Sequence, residues 1–553
     1  MTASGPESPW WRTAVTYEVY LRSFADGDGD GVGDLPGLRS RLSHLVDLGV
    51  DAVWLTPWYP SPMADGGYDV SDYRGIDPVF GTLADADGLI ADAHDLGLRV
   101  IIDLVVNHTS SEHPWFQDAL AGGPGSPARA RYFFRDGRDG GSSPPNDWIS
   151  AFGGRAWTRV QEPDGELGQW YLHLFAPEQP DLDWGHPGVQ DDVDDILRFW
   201  LDRGVDGIRV DAAAAMAKKP GLPDAGHRPG ARFESSSWSD NPHWDVDGVH
   251  DIFRRWRRLA DAYDGDRVFV AEAVVNGPER LSRYLRPDEM HTAFNFDFLK
   301  SPWNARSLRR VVDSTLEALA PVGAPATWVL SSHDETRHRT RFGRADSGAV
   351  TMGFDTAGVT DLAVGLARAR AAVLLVLALP GGVYLYQGEE LGLPEVEDLP
   401  EDVLQDPTWE RSGRTSRGRD GCRVPLPWEG EEPPFGFSRA GGRPWLPQPG
   451  NWASVTVQAQ RDDPESTLSL YRDALRLRRR TPALRATEVH GDGFQWRDVG
   501  DGILAFDRGS TFRCIVNLSS RPLSLPGHGR PVLASQPGLQ GELPVDCTVW
   551  LER

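Results

Sequence analysis

The sequence alternates short apolar runs, each ending in polar or acidic residues, with longer stretches that have the spacing of amphipathic helices. The apolar runs lie at 50–55, 99–104, 207–210, 268–271, 328–331 and 383–386. The helix-like stretches between them include 38–48, 83–96, 192–203 and 249–263. Strands that alternate with helices form parallel sheets, and eight such units close into a barrel. The sequence therefore predicts an α/β protein built on a (β/α)8 barrel.

Three carboxylates stand at or just beyond the ends of these runs. They are Asp211, Glu272 and Asp334, and the intervals between them are 61 and 62 residues. The carboxyl ends of barrel strands are where enzymes of this fold keep their chemistry. Carboxylates that converge there, beside an arginine and histidines, suit cleavage of a glycosidic bond.

Composition excludes several other classes. A chain of 553 residues, 40% of them hydrophobic, is long enough for two to four domains. A net charge of −24 lacks the basic footprint that nucleic acids and anionic membranes require. The sequence shows neither a signal-peptide pattern nor an apolar run of membrane-spanning length, and its three scattered cysteines are too few for a disulfide framework. We therefore expect a cytoplasmic protein that binds neither nucleic acid nor membrane.

Two loop-rich segments interrupt the alternation, and a different pattern follows it. Both segments are rich in Gly, Pro and aromatic residues, which indicates insertions after strand 3 and near strand 8. The C-terminal residues alternate apolar and polar side chains between turns, as an antiparallel sheet does. The predicted units are the barrel (1–107 and 185–392), a loop-rich inserted domain (108–184), a second insertion (393–455), a last barrel helix (456–482) and a C-terminal β-sheet domain (483–553).

An acidic loop near the N-terminus follows the spacing of an EF-hand cation loop. The expected ligands are Asp26, Asp28, Asp30, the carbonyl of Val32, and Asp34. The twelfth position is Gly37 rather than a bidentate Glu, and no flanking pair of helices is evident. We therefore expect a structural Ca²⁺ or Mg²⁺ site rather than a calcium sensor; the alternative is an acidic turn without a metal.

Seven motifs in a fixed order connect the chain to a family. They lie at 49–57, 103–108, 179–184, 207–211, 272, 333–334 and 381–390. With these motifs the chain resembles the α-amylase superfamily (glycoside hydrolase family 13), and more narrowly its α-glucosidase and oligo-1,6-glucosidase branch. The resemblance covers nearly the whole chain, from 17–24 to the C-terminal sheet.

The resemblance implies the roles of the three carboxylates. Asp211 would be the nucleophile, Glu272 the general acid/base, and Asp334 the carboxylate that grips glucose hydroxyls in the transition state. Arg209, two residues before Asp211 on the same face of a strand, should keep the nucleophile ionised. Glu272 must begin protonated, which calls for less polar surroundings.

The resemblance also implies a pocket that is closed at one end. The expected substrate-binding residues are Tyr68, Asp69, His108, Arg209, His333 and Arg423. Among these, Asp69 and Arg423 would close the pocket at the non-reducing end of the sugar. A closed end predicts exo-action on short α-glucosides.

Three positions qualify the resemblance. Ser332 stands where the family usually has Asn before the His-Asp pair, and Asp183 where it usually has Asn; these departures bear on the tuning of Asp334 and on contacts of the inserted domain. Ala212 follows the nucleophile, where valine accompanies α-1,6 cleavage and smaller residues accompany α-1,4 cleavage. We therefore expect maltose and short maltooligosaccharides to be preferred over isomaltose.

The residues leave three functions open. A retaining α-glucosidase is the first. A transglucosylase or a disaccharide isomerase, of the trehalose synthase or sucrose isomerase type, would use the same carboxylates. A binding protein on an inactive barrel is the third, but such relatives lose the catalytic acids, and Asp211, Glu272 and Asp334 are all present. We expect small α-glucosides as the only partners of a monomer or homodimer.

Overall fold

The computed structural model describes residues 8–553 except 163, 228–240, 349–358 and 488–492. The strands of the barrel and of the first insertion are β1 (Val15–Val19), β2 (Ala52–Leu55), β3 (Arg99–Leu104), β4 (Phe134–Arg135), β5 (Trp157–Gln161), β6 (Leu167–Leu172), β7 (Gly207–Val210), β8 (Val268–Ala271), β9 (Thr292–Ala293), β10 (Thr327–Val329) and β11 (Gly382–Tyr386). The runs expected at 99–104, 207–210 and 268–271 coincide with β3, β7 and β8.

The barrel is an eight-stranded sheet in the order β10-β11-β1-β2-β3-β7-β8-β9. All of its strand pairs are parallel. Across the gap between β9 and β10, the backbone N–H of Asn295 donates to the carbonyl of Thr327 at 3.2 Å. The nearly closed ring of parallel strands confirms the predicted (β/α)8 fold.

Helices accompany the barrel strands and the two insertions. They are α1 (Leu35–Ser40), α2 (Leu42–Leu48), α3 (Leu83–Asp95), α4 (Pro114–Gly122), α5 (Pro187–Asp202), α6 (Val249–Ala260), α7 (Pro278–Tyr284), α8 (Phe296–Leu299), α9 (Ala305–Leu319), α10 (His338–Phe342), α11 (Leu362–Ala378), α12 (Pro407–Arg411), α13 (Val457–Arg461), α14 (Thr467–Arg480) and α15 (Pro482–Arg485). The single helix expected at 38–48 is two helices, α1 and α2, which meet at Arg41.

Close packing inside the barrel brings the strand ends together. A Cβ atom on Gly207, the first residue of β7, would lie 2.4 Å from Val268 Cγ1 and 3.0 Å from Ile101 Cγ1. Glycine therefore lets β7 fit tightly between β3 and β8. Above the apolar cluster that includes Trp54, the guanidinium of Arg209 lies 5.1 Å from the Trp54 ring, so the packed core directly supports a charged group.

The first insertion carries a three-stranded sheet in the order β4-β6-β5. A buried ion pair joins it to the barrel: Lys218 Nζ lies 2.7 Å from Asp181 Oδ2, with side-chain exposures of 1% and 0%. Lys218 also donates to Asn107 Oδ1 at 2.9 Å. A buried charge without its partner is costly, so this pair fixes the insertion over the end of β3.

The C-terminal region is antiparallel, as expected. Its strands are β12 (Gln495–Arg497), β13 (Ile503–Arg508), β14 (Phe512–Asn517), β15 (Leu523–Ser524), β16 (Arg530–Ala534), β17 (Glu542–Leu543) and β18 (Cys547–Glu552). Five of them form a sheet in the order β12-β13-β14-β18-β16, and β15 pairs with β17. Trp550 Nε1 and Thr548 Oγ1 donate to carbonyls of α11 at 3.0 and 2.8 Å. Among the described residues, no helix is both long and apolar enough to cross a membrane.

Candidate active site

Arg209 joins three carboxylates at the ends of three neighbouring strands. Its Nη1 lies 2.6 Å from Asp103 Oδ1 and 2.7 Å from Asp211 Oδ1, and its Nη2 lies 2.7 Å from Glu272 Oε2. Asp103 belongs to β3, while Asp211 and Glu272 directly follow β7 and β8. One planar guanidinium therefore orients the two carboxylates expected to act as nucleophile and acid.

The pKa values of Asp211 and Glu272 are both raised, but by different amounts. Burial raises the pKa of Asp211 to about 7 and the pKa of Glu272 to about 8, and Arg209 opposes both shifts. Arg209 therefore favours the ionised form of Asp211, while desolvation has the larger effect on its pKa. Glu272 holds its proton to higher pH than Asp211, which is the order that an acid and a nucleophile need.

The residue after Asp211 holds Glu272 in place. The backbone N–H of Ala212 donates to Glu272 Oε2 at 2.9 Å. Ala212 has a φ of +44°, a left-handed conformation that non-glycine residues adopt rarely. The turn that aims this N–H at Glu272 therefore stores backbone strain next to the reacting groups.

Asp334 lies in a strongly cationic environment. Its Oδ1 accepts from Arg419 Nη1 at 2.9 Å and from Arg423 Nη2 at 3.0 Å. His333 Nε2 lies 3.2 Å from its Oδ2. Although burial opposes it, the interactions with His333, Arg419 and Arg423 hold the pKa of Asp334 well below its usual range. Asp334 therefore stays ionised while Glu272 does not.

The two acids at 65 and 69 occupy different environments. Asp65 Oδ1 accepts from Arg419 Nη2 at 2.6 Å, so it belongs to the same ionic network as Asp334. Asp69 accepts from Ser61 Oγ at 2.8 Å and from the backbone N–H groups of Ala64 and Asp65 at 2.9 and 3.1 Å. Its carboxylate is saturated by its own loop. Asp65, and not Asp69, is the acid that the structure brings to the arginines.

Comparison with known proteins decides the family. The sequence-family model of the alpha-amylase catalytic domain matches residues 18–487 of this chain. The chain belongs to the alpha-amylase family. It is 40% identical over 501 residues to a probable alpha-glucosidase of Rhizobium meliloti, covering 88% of this chain and 85% of that protein. It is 34% identical over 506 residues to an oligo-1,6-glucosidase of Parageobacillus thermoglucosidasius, covering 86% and 84%.

Solved structures agree with this membership. The crystal structure of the alpha-glucosyl transfer enzyme XgtA is 37% identical, with a TM-score of 0.82, and the match covers 99% of this chain and 100% of that one. As a member of the alpha-amylase family with these relatives, the protein is a glycoside hydrolase of the α-glucosidase type.

Tyr68 and His108 line the site of this alpha-amylase family enzyme differently. Tyr68 stacks on the His333 ring, with centroids 5.2 Å apart and planes 9° apart, and its hydroxyl donates to Asp103 Oδ2 at 2.9 Å. His108 Nε2 lies 2.9 Å from the Tyr68 carbonyl, and its Nδ1 lies 3.1 Å from Asn107 Nδ2. Burial lowers the pKa of His108 to about 4. His108 is therefore a neutral ring whose two nitrogens both have protein partners.

Sequence reasoning missed four members of the site. They are Glu18, Asp65, Asp103 and Arg419, of which Asp103 and Glu18 lie on β3 and β1. A signal existed for these two, because a charged residue inside a buried strand has no reason in packing. The two departures from the family pattern are accommodated locally: Ser332 Oγ accepts from the backbone N–H of Asp334 at 3.2 Å, and Asp183 Oδ1 accepts from that of Gly185 at 2.9 Å.

The acidic loop brings three of its expected ligands together. Carboxylate oxygens of Asp26, Asp28 and Asp34 lie within 4.8 Å of one another, whereas Asp30 is not part of this group. The Asp30 carboxylate instead accepts from the backbone N–H of Val32 at 2.8 Å. Clustered carboxylate oxygens suit a hard divalent cation, so this triad could hold a metal ion.

Proposed function

We propose that the protein is a retaining, exo-acting α-glucosidase that releases terminal α-1,4-linked glucose from maltose and short maltooligosaccharides. The observation that carries the proposal is the geometry around Arg209, whose guanidinium contacts Asp211 and Glu272 at 2.7 Å each. Asp211 attacks the anomeric carbon while Glu272 gives its proton to the leaving oxygen, and a glucosyl-Asp211 ester forms. Glu272 then deprotonates a water that hydrolyses the ester.

The ionic network around Asp334 supports exo-action. Arg419 contacts Asp65, Asp334 and Asp406, and Arg423 contacts Asp334. We assign the closed end of the pocket to Asp65 and Arg419, in place of Asp69, with Arg423 beside them. Carboxylates and guanidinium groups fixed in this way suit recognition of the hydroxyls of a terminal glucose.

Ala212 supports the preference for α-1,4 linkages. Its methyl group is small and it directly follows Asp211, which leaves space beside the scissile oxygen. One or two methyl groups in a pocket are worth about 1–3 kcal/mol of discrimination. We expect Ala212→Val to shift the maltose-to-isomaltose ratio toward isomaltose, and an unchanged ratio would assign linkage preference to neighbouring loops.

The metal belongs to the same proposal. Asp26, Asp28 and Asp34 would hold Ca²⁺ or Mg²⁺, which would tie the loop to the second insertion. The loop already contacts that insertion: the backbone N–H of Asp26 donates to the Phe437 carbonyl at 2.8 Å, and that of Trp445 donates to the Gly31 carbonyl at 2.9 Å. A ligand of the folded state stabilises it by mass action. We expect thorough chelation to lower Tm more than activity; an unchanged Tm with no metal by elemental analysis would contradict this.

α-Glucosyl transfer is the second candidate. The 37% identity to the alpha-glucosyl transfer enzyme XgtA favours it, since water and sugar compete for the same glucosyl-enzyme. Product analysis with maltose as sole substrate separates the two. Two glucose molecules per maltose and no larger sugar support hydrolysis. Panose formed together with one glucose per transfer supports transfer, and trehalose supports isomerisation.

A further inference from the structure

Glu18, on β1, lies directly behind His333. Its Oε1 is 2.5 Å from His333 Nδ1 and 3.2 Å from the backbone N of His333. Both side chains are 1% exposed. Glu18 reaches this position because β1 lies between β11 and β2 in the barrel, which aims the residue at the start of the loop after β10.

Aromatic rings confine the His333 ring to one plane. Tyr68 stacks on it with centroids 5.2 Å apart, and Tyr20 stacks on it with centroids 5.7 Å apart. The Trp54 ring meets it edge-on at 5.9 Å. This slot holds the plane of the ring but does not choose which nitrogen faces which neighbour. Glu18 fixes the orientation of the ring within this plane, because its Oε1 hydrogen-bonds Nδ1 and Nε2 then faces Asp334.

The distances also indicate how many hydrogens the Glu18–His333 pair carries. Nδ1 and Oε1 at 2.5 Å require a hydrogen between them. Nε2 lies 3.2 Å from Asp334 Oδ2, a separation from an ionised carboxylate that is favourable only when Nε2 also carries a hydrogen. Nε2 is buried and has no hydrogen-bond partner of good geometry among the described residues, so its hydrogen is available to a ligand hydroxyl.

We infer that Glu18 is a positioning residue for His333: it fixes the ring and supplies the second hydrogen that makes Nε2 a donor toward Asp334 and the bound glucose. The inference rests on the proposed function for the identity of the sugar. The charged groups that act on the pair are Asp103, Arg209, Asp334, Arg419 and Arg423. Burial raises the pKa of Glu18 and lowers that of His333, which favours a pair that is uncharged overall.

The exchange Glu18→Gln tests this role. An amide keeps the size of the side chain, and the backbone N–H of His333, 3.2 Å from Oε1, requires its oxygen rather than its NH2 group at that place. That oxygen can only accept, so Nδ1 takes the single hydrogen of a neutral ring and Nε2 loses it. We expect kcat/KM on the α-glucoside that is turned over best to fall about tenfold, the scale of one lost hydrogen bond. In a His333→Ala background the same exchange should have no further effect, because Glu18 acts only through His333.

Selective ¹⁵N labelling of histidine gives a readout that does not depend on activity. The signal of His333, assigned by its loss in His333→Ala, should report a protonated Nε2 in the unaltered resting enzyme and an unprotonated Nε2 in Glu18→Gln. An unprotonated Nε2 in the unaltered enzyme would overturn the inference even if no variant folds. Additive effects of Glu18→Gln and His333→Ala on kcat/KM would overturn it as well. The expected spectra in an enzyme that does not cleave maltose would retain the inference and reject the substrate.

Discussion

The active site has two halves, and the pKa values of Asp211 and Glu272 in one half shift in the opposite direction to that of Asp334 in the other. Around Arg209, one guanidinium serves Asp103, Asp211 and Glu272. Around Asp334, the two guanidinium groups of Arg419 and Arg423 also contact three acids, which are Asp65, Asp334 and Asp406. Burial wins in the first half and raises the pKa of Asp211 and Glu272 to about 7 and 8. In the second half His333, Arg419 and Arg423 outweigh burial at Asp334, whose pKa falls well below its usual range, whereas burial still raises the pKa of Asp65.

The difference shows how one pocket can contain both an acid and permanent anions. Desolvation raises the pKa of every buried carboxylate, and nearby cations lower it, so the balance of the two sets each pKa. Glu272, the proposed proton donor, lies where arginine is scarce, and Asp334, the proposed sugar-binding carboxylate, lies where arginine is abundant. Variants that remove an acid or a cation from either half therefore test the account directly.

The largest effect should follow Glu272→Gln in the arginine-poor half. An amide cannot protonate the leaving oxygen, so kcat/KM on maltose should fall by about 10³–10⁴-fold. Turnover of an α-glucosyl fluoride should be spared at the first step, because fluoride leaves without a proton. Steady-state and burst kinetics on the two substrates measure the contrast. Equal losses on both would mean that Glu272 has another role.

Arg209→Lys should lower kcat/KM somewhat less than Glu272→Gln does. A lysine carries the same charge but cannot bind two carboxylates in the fork geometry of a guanidinium, so kcat/KM should fall by about 10²–10³-fold. Arg255→Lys is the matched control, since Arg255 pairs with Asp191 and Asp194 at the protein surface. A comparable loss in both variants, with unchanged Tm, would separate Arg209 from the chemistry.

In the arginine-rich half, Asp65→Asn and Asp69→Asn form a matched pair. Asp65→Asn removes the charged partner of Arg419 and a hydrogen-bond acceptor for the terminal glucose. We expect its kcat/KM on maltose to fall about 10–100-fold, mainly through KM, the scale of one hydrogen bond to a charged group. Asp69→Asn should change KM by less than about threefold, because an amide oxygen in the place of Oδ1 keeps the donors Ser61 Oγ and Asp65 N–H and only the hydrogen bond from Ala64 is lost. The reverse order would restore the pocket-closing role to Asp69.

The pH profile should show the smallest effect. Activity needs Asp211 ionised, which requires a pH above about 7, and Glu272 protonated, which requires a pH below about 8. The profile of kcat/KM should therefore be a narrow bell with its maximum between these limits. Asp334 should contribute no acidic limb near neutrality, since its pKa lies well below its usual range. A plateau from about pH 5 to about pH 9 would contradict this assignment.

The same two halves differ in how far the sequence predicted them. Arg209, Asp211 and Glu272 lie on or directly after β7 and β8, where strand register fixes their mutual positions. A parallel barrel therefore predicts their convergence from spacing alone. Asp334 follows the same rule after β10.

The other half depends on loops. Asp65 and Asp69 lie in one loop four residues apart, and no periodicity in the sequence says which of them turns toward the pocket. Arg419 comes from the second insertion, and its approach to Asp65 and Asp334 follows from long-range packing. Motif resemblance thus chose Asp69, and only the folded loop identifies Asp65. The acidic triad at 26, 28 and 34 was foreseen from spacing because its ligands are local.

The central claim is that Asp211 forms a covalent glucosyl ester. A 5-fluoro α-glucosyl fluoride, whose glycosyl-enzyme turns over slowly, should trap this ester, and proteolysis with mass spectrometry should place the label on the peptide that contains Asp211. Asp211→Asn should show no label. Proton NMR of the early hydrolysis of an aryl α-glucoside, whose leaving group is not a sugar, should show α-glucose released first. A label on another residue, or initial release of β-glucose, would contradict the account.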